Sequence, residues 1–182
     1  MKVLSNTLHG VLKIGVERHD DPRGWFCEGY RQDIFQQLNI YTVFVQDNFS
    51  HTIKKGTIRG LHYQEEPYGQ IKLFRCISGA VFDVVVDLRK HSPTYLQWAG
   101  FGLNGDRFEW LLVPKGFAHG FQALCDNCSV QYKVDETYHP EAERCICWND
   151  PTLGITWPVS QVILSDKDRQ GMKIDEFRHT GE

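Results

Sequence analysis

A mainly β fold is predicted by three features of this 182-residue chain. Short runs rich in Val, Ile, Phe and Tyr recur along it. Gly, Pro, Asn and Asp punctuate those runs, and long helical patterns are few. Many short strands at this spacing belong to a β-sandwich or barrel. The length suits one domain over residues 1–182, since domains commonly run ~100–200 residues. Neither linker nor repeat interrupts it.

Two segments read as short helices, the first of them Gln32–Leu38. Strands follow at Tyr41–Val45, Ile71–Ile77, Ala80–Leu88, Trp110–Val113 and Val130–Val134. A second short helix opens at Ser165 in Ser165-Asp166-Lys167-Asp168, where serine suits an N-cap. Side chains alternate along a strand, so Tyr132 shares a face with Val130 and Val134, away from Gln131 and Lys133. By the same rule Lys72 falls with Phe74 and Cys76, opposite Ile71, Leu73 and Ile77. A lysine among apolar neighbours is costly unless paired or set in a wet cavity. Two readings stay open: Lys72 lines such a cavity, or it snorkels out from a strand covered on both faces. Tyr132 likewise reads as a cavity residue or as a core tyrosine with its hydroxyl satisfied.

Composition narrows the function. Hydrophobic residues make up 41% and charged residues 24%, which excludes disorder. A net charge of −3 argues against nucleic acid as the main partner, because such domains carry a basic face. No apolar run approaches the ~20 residues that span a bilayer, and Met1–Asn6 has no apolar segment like that of a signal peptide. A soluble cytoplasmic protein is expected. The 6 Cys are then expected as free thiols. The alternative is a Cys₄ zinc site built from Cys125-x-x-Cys128 and Cys145-x-Cys147.

Two stretches carry the chemistry. The first runs from Gly56 through Arg59-Gly60-Leu61-His62-Tyr63-Gln64; the second is Pro114-Lys115-Gly116-Phe117-Ala118-His119-Gly120-Phe121. Together they resemble the two motifs of the cupin superfamily: Gly, five residues, His, and then Pro-x-Gly-x-x-His. That resemblance implies a jelly-roll barrel with short peripheral helices. Metal-binding cupins use His-x-His plus Glu from the first motif. Here Gln64 replaces the second His, and Tyr68 or Gly69 stands where the Glu is expected. Two imidazoles alone make a poor divalent site, so no metal is expected.

The departures match one cupin family. The chain resembles the nucleotide-sugar 3,5-epimerases, typified by dTDP-4-dehydrorhamnose 3,5-epimerase. The resemblance rests on Asp21-Pro22-Arg23-Gly24-Trp25-Phe26 with Glu28, Gln46-Asp47-Asn48, the run at 59–64 and Lys72-Leu73. It continues through Val86-Asp87-Leu88-Arg89 with Ser92-Pro93-Thr94, the run at 114–121, and Tyr132-Lys133. Glu143, Trp148-Asn149-Asp150-Pro151, and Leu164-Ser165 with Lys167-Asp168 complete it.

What the resemblance implies is an isomerase acting on a 4-keto-6-deoxyhexose linked to a nucleoside diphosphate. The ketone acidifies the C–H bonds at C3 and C5, and either carbanion delocalises as an enolate. Inversion then needs a base, an acid on the opposite face and a cation at the enolate oxygen, with no redox cofactor. The resemblance assigns His62 as base, paired with Asp168, because histidine titrates near neutrality and a carboxylate fixes its tautomer. It assigns Tyr132 as acid and Lys72 as the cation at the enolate oxygen. Arg23, Arg59 and Lys167 are expected at the diphosphate. Glu28, Gln46, Asp47, Asn48, His119 and Glu143 are expected at the base, ribose or sugar, or orienting groups that are. A homodimer is implied.

Strict alternation puts Arg59 and His62 on opposite strand faces, so both enter one pocket only across a bulge; otherwise Arg59 serves a partner subunit. Trp25 and His51 are variations that are either neutral or reshape the pocket. Competing functions are a metal-dependent cupin and a non-catalytic sugar-binding jelly roll. Within the epimerase reading, inversion at a single carbon and a GDP-, CDP- or UDP-linked sugar stay open.

Overall fold

The computed structural model describes residues 1–179. The strands are β1 (Lys2–Thr7), β2 (Val11–Gly15), β3 (His19–Asp21), β4 (Gly24–Phe26), β5 (Gln46–Thr52), β6 (Ile58–Gln64) and β7 (Lys72–Ser78). They continue as β8 (Ala80–Asp87), β9 (Trp98–Asn104), β10 (Glu109–Val113), β11 (Phe117–Ala123), β12 (Cys128–Val134) and β13 (Glu143–Cys145). Helices are short: α1 (Gln32–Gln37), α2 (Asp166–Arg169) and α3 (Ile174–His179). None is long and apolar enough to cross a membrane among the described residues.

A six-stranded sheet ordered β1-β2-β10-β7-β12-β5 faces a five-stranded sheet ordered β13-β6-β11-β8-β9, and β3 with β4 forms a separate hairpin. The result is a jelly-roll-like antiparallel barrel. Phe74, Leu111, Val113 and Val130 from one sheet meet Val81, Val85, Leu103 and Phe121 from the other in the central core. Each sheet is also covered outside. Leu73, Trp110 and Leu112 pack under Phe35 of α1, while Leu61, Val84 and Val86 pack under Leu153, Trp157 and Ile174. Leu73 and Phe74 therefore point to different cores, which is why β7 reads as apolar on both faces.

Most predicted elements hold with small shifts of boundary. Tyr41–Val45 does not: it is extended chain outside the ladders, and the strand begins at Gln46. Its backbone touches the sheet through Val45 N–H to Val134 O, while Tyr41 is 68% exposed and Val43 and Val45 are similarly bare. Strand propensity reflects packing on a half-buried surface, and this run finds none. The strand that does form there, Gln46–Thr52, is mostly polar because its outer face meets solvent.

Asp87 ends β8 as a closed polar cluster. It accepts hydrogen bonds from Arg89 Nε (2.8 Å), Arg89 Nη2 (2.7 Å), Ser92 Oγ (2.5 Å) and Thr94 Oγ1 (2.6 Å). Burial opposes ionisation of its carboxyl, but these donors outweigh burial and hold the carboxyl at about 2. The Asp-x-Arg…Ser-x-Thr pattern thus has a structural use.

Candidate active site

One cleft of about 470 Å³ opens between the sheets, and His62, Lys72, Tyr132 and Asp168 all line it. Arg59, His119, Glu143 and Lys167 line it as well. The two strands that bring Lys72 and Tyr132 inward are neighbours, with Tyr132 opposite Phe74 and Val134 opposite Lys72. Their alternation places both groups on the cavity side, so Lys72 lines the cleft, and Tyr132 packs on the central core while facing the same cleft.

His62 sits mid-strand on β6. Its Nε2 is 2.7 Å from Asp168 Oδ1. Asp168 is 5% exposed and rides on α2, whose N-cap Ser165 accepts from the Asp168 backbone N–H (3.1 Å) and donates Oγ–H to Asp168 Oδ2 (2.7 Å). This reciprocal cap locks the carboxylate in place. Burial would raise the Asp168 carboxyl, yet hydrogen bonds from His62 and Ser165 together hold it below the usual aspartate value.

The other ring nitrogen is different. His62 Nδ1 is buried without a hydrogen-bond partner, although Glu143 Oε1 lies 3.3 Å away. That is an ion-pair distance lacking hydrogen-bond geometry. Glu143 is instead committed to the Tyr138 hydroxyl and to Lys167. Burial opposes its ionisation too, but those two donors lower its carboxyl.

Lys72 Nζ donates to His62 O at 3.2 Å. Burial pushes its ammonium down to about 8, against the pull of Glu143 and Asp83. Tyr132 is raised by burial and by the Glu143 charge, with Arg59 pulling the other way, so its phenol keeps its proton at neutral pH. At the cleft floor His119 Nε2 is 2.8 Å from Asp83 Oδ2, and Phe74 meets the imidazole edge at 5.0 Å between centroids.

Arg59 and His62 do share the cleft, and a bulge is the reason. Opposite β11, His62 pairs with His119 but Arg59 pairs with Phe121, so β6 holds one extra residue. The extra residue centres on Gly60, at φ +136°, where an added Cβ would lie 2.5 Å from Gly120 Cα. Only glycine fits that crossing. Arg59 is then anchored by Thr52 Oγ1 and His51 O, both at 3.0 Å.

Other predicted residues lie elsewhere. Arg23, 89% exposed, pairs with Asp21 on the β3–β4 hairpin, and Glu28 pairs with Arg31. Neither lines the cleft of this chain. On β5, Gln46 and Asn48 share the sheltered face with Ser50, which does line it, and Gln46 is bonded to Asn48 and to the Tyr138 N–H. Asp47 points the opposite way, with its carboxylate taken by Lys133 and Gln131. Trp25 packs on Phe108 and His51 on Ser129, both outside the cleft.

Tyr138 lines the cleft unannounced by the sequence, because a loop tyrosine carries no periodic signal. Gln64, where a metal cupin has histidine, donates its amide to Tyr68 O and Thr137 O and accepts from His139 N–H. It clamps the 137–139 loop. The four cysteines of the Cys₄ reading do not converge: Cys125 and Cys128 meet each other at 3.4 Å, while Cys145 sits beside His62 and Asp168.

Known proteins resemble this chain over nearly its whole length. The family model described as dTDP-4-dehydrorhamnose 3,5-epimerase matches residues 5–176. The enzyme of that description from Methanothermobacter thermautotrophicus is 45% identical over 179 residues, covering 96% of this chain and 95% of its own. A Bacillus anthracis structure of that description, with TDP and pyrophosphate bound, superimposes with TM-score 0.94 at 45% identity, covering 95% of this chain and 99% of the other. A Legionella pneumophila epimerase in complex with dTDP-4-keto-L-rhamnose gives TM-score 0.91 at 40% identity, covering 96% and 93%.

Proposed function

The chain belongs to the dTDP-4-dehydrorhamnose 3,5-epimerase family, and from that premise we propose how its own residues invert C3 and C5 of a dTDP-linked 4-keto-6-deoxyhexose. His62 takes the C–H proton; that bond's electron pair moves to the C4 oxygen and forms an enolate. Lys72 presents its ammonium to this oxygen, where charge develops. Tyr132 returns a proton to carbon from the opposite face, and its phenolate and the imidazolium then re-equilibrate with water. The inversion is redox-neutral and exchanges hydrogen with solvent.

The observation that carries this reading is the carboxylate-bound His62 facing the same cleft as Tyr132 and Lys72. A sugar-binding protein has no need of a histidine paired with a buried carboxylate. Arg59 and Lys167, on the same wall system, supply charge for the diphosphate. The test is turnover in heavy water with the dTDP-4-keto sugar, read by NMR. Deuterium at both C3 and C5 is expected; a recovered sugar without label at either carbon would overturn the reading.

We further propose that two copies associate. Support comes from the exposed apolar row at the β5 edge of the six-stranded sheet, with Phe49 70% and Ile53 64% exposed beside Tyr41, Val43 and Val45. The β3–β4 hairpin adds exposed Trp25 and Phe26. Arg23 and Glu28, remote from their own cleft, would then serve the other copy's. Sedimentation of the intact protein as a monomer would overturn this.

A further inference from the structure

We propose that His62, Cys145 and Asp168 form a binding site for a borderline-soft divalent cation such as Zn²⁺, and that this cation switches the enzyme off. One ligand atom from each of the three side chains falls in a group whose members lie within 4.8 Å of one another. An imidazole, a thiol and a carboxylate are the donor types that zinc accepts, and three protein ligands leave a fourth position for water from the cleft.

Rigidity favours the site. Cys145 and His62 are directly paired across β13 and β6, so their side chains start on one face of one sheet. Asp168 arrives from α2, with its second oxygen already held by Ser165, which is how outer hydrogen bonds orient metal ligands. Zinc bonds of ~2.0–2.3 Å put tetrahedral ligands about 3.5 Å apart. The present His62–Asp168 contact of 2.7 Å must therefore open to admit the ion. Lys167 pairs with Glu143, and the ion-pair partner of Asp168 is His62.

The balance is simple. Zn²⁺ bonds to His62 Nε2, whose proton is carried by water to Nδ1 as the ring changes tautomer, to the Asp168 carboxylate and to the Cys145 sulfur, whose proton passes to water. Bound metal replaces the Asp168 hydrogen bond on His62 and removes the carboxylate's negative charge from the base. The inhibitory half of the proposal rests on His62 being that base; the binding half does not.

The test uses full-length C125S/C128S protein, which silences the other close thiol pair. Cd²⁺ reports thiolate ligation by an ultraviolet charge-transfer band. One equivalent of Cd²⁺ is expected to raise that band, and Zn²⁺ to compete it away. Adding C145S or C145A should abolish the band and weaken Zn²⁺ binding at least tenfold, while leaving turnover in metal-free buffer unchanged. Zinc should inhibit the parent and be reversed by chelator, with the Cys145 variants correspondingly resistant. No band in the parent, or a band surviving in both folded Cys145 variants, would overturn the site. A Cys145-dependent band without inhibition would keep the site and overturn His62 as the base.

Discussion

His62 Nε2 lies 2.7 Å from Asp168 Oδ1, while Nδ1 of the same ring has no hydrogen-bond partner. Donation to the Asp168 carboxylate fixes one tautomer, with the lone pair on Nδ1. Asp168→Asn preserves shape but removes the charge that stabilises the imidazolium. Its kcat should fall by about 10³–10⁴ with little change in KM; steady-state kinetics with the dTDP-4-keto sugar check this, and a loss under tenfold would detach Asp168 from the chemistry.

Tyr132→Phe removes the acid and leaves the base. Proton removal by His62 continues, so deuterium should still exchange into the substrate on the His62 face while inversion slows by about 10²–10⁴. NMR separates the two, since exchange without inversion labels the unchanged epimer. Equal loss of both would place Tyr132 in a merely structural role.

Lys72 gives the reaction a pH limit. Its ammonium deprotonates at about 8 in the fold against 10.5 ordinarily, so kcat should fall as pH rises through about 8. Lys72→Met should cost about 10²–10³ in kcat and erase that alkaline limb. The stability consequence has the opposite sign. A lysine whose folded value is depressed destabilises the fold wherever it is charged, and that penalty fades between about 8 and 10.5. Thermal melts at pH 7 should therefore show Lys72→Met more stable than the parent, and the gap should close at alkaline pH.

Gly60→Ala tests the bulge. An added Cβ would lie 2.5 Å from Gly120 Cα at a φ of +136°, so strand separation and backbone strain combine. A destabilisation of about 2–4 kcal/mol is expected from urea midpoints. Gly102→Ala, with nothing within 4 Å of its added Cβ, is the control.

What the sequence discloses follows from where its rules are local. Lys72 and Tyr132 are legible because β7 and β12 run in unbroken register through both residues, so alternation survives. Ser165 is legible as a cap because the cap is made within its own turn. The joint presentation of Arg59 and His62 is not, since it depends on Gly60 meeting Gly120 from a strand far along the chain. Asp47 separates from Gln46 and Asn48 by the same alternation, yet the strand carrying them is too polar to announce itself. Tyr41–Val45 misleads for the converse reason: it has the residues of a strand and no surface of its own chain to cover.

Gln64 has a consequence for anyone wishing to turn this barrel back into a metalloprotein. A histidine there would restore the His-x-His spacing in a single step. It would also strip the amide that holds Tyr68 O, Thr137 O and the His139 N–H, loosening the segment that brings Tyr138 to Glu143. Acquiring an ion and keeping the sugar's wall intact are competing demands on one side chain, so the ancestral-looking substitution needs a companion change at 137–139 before it can succeed.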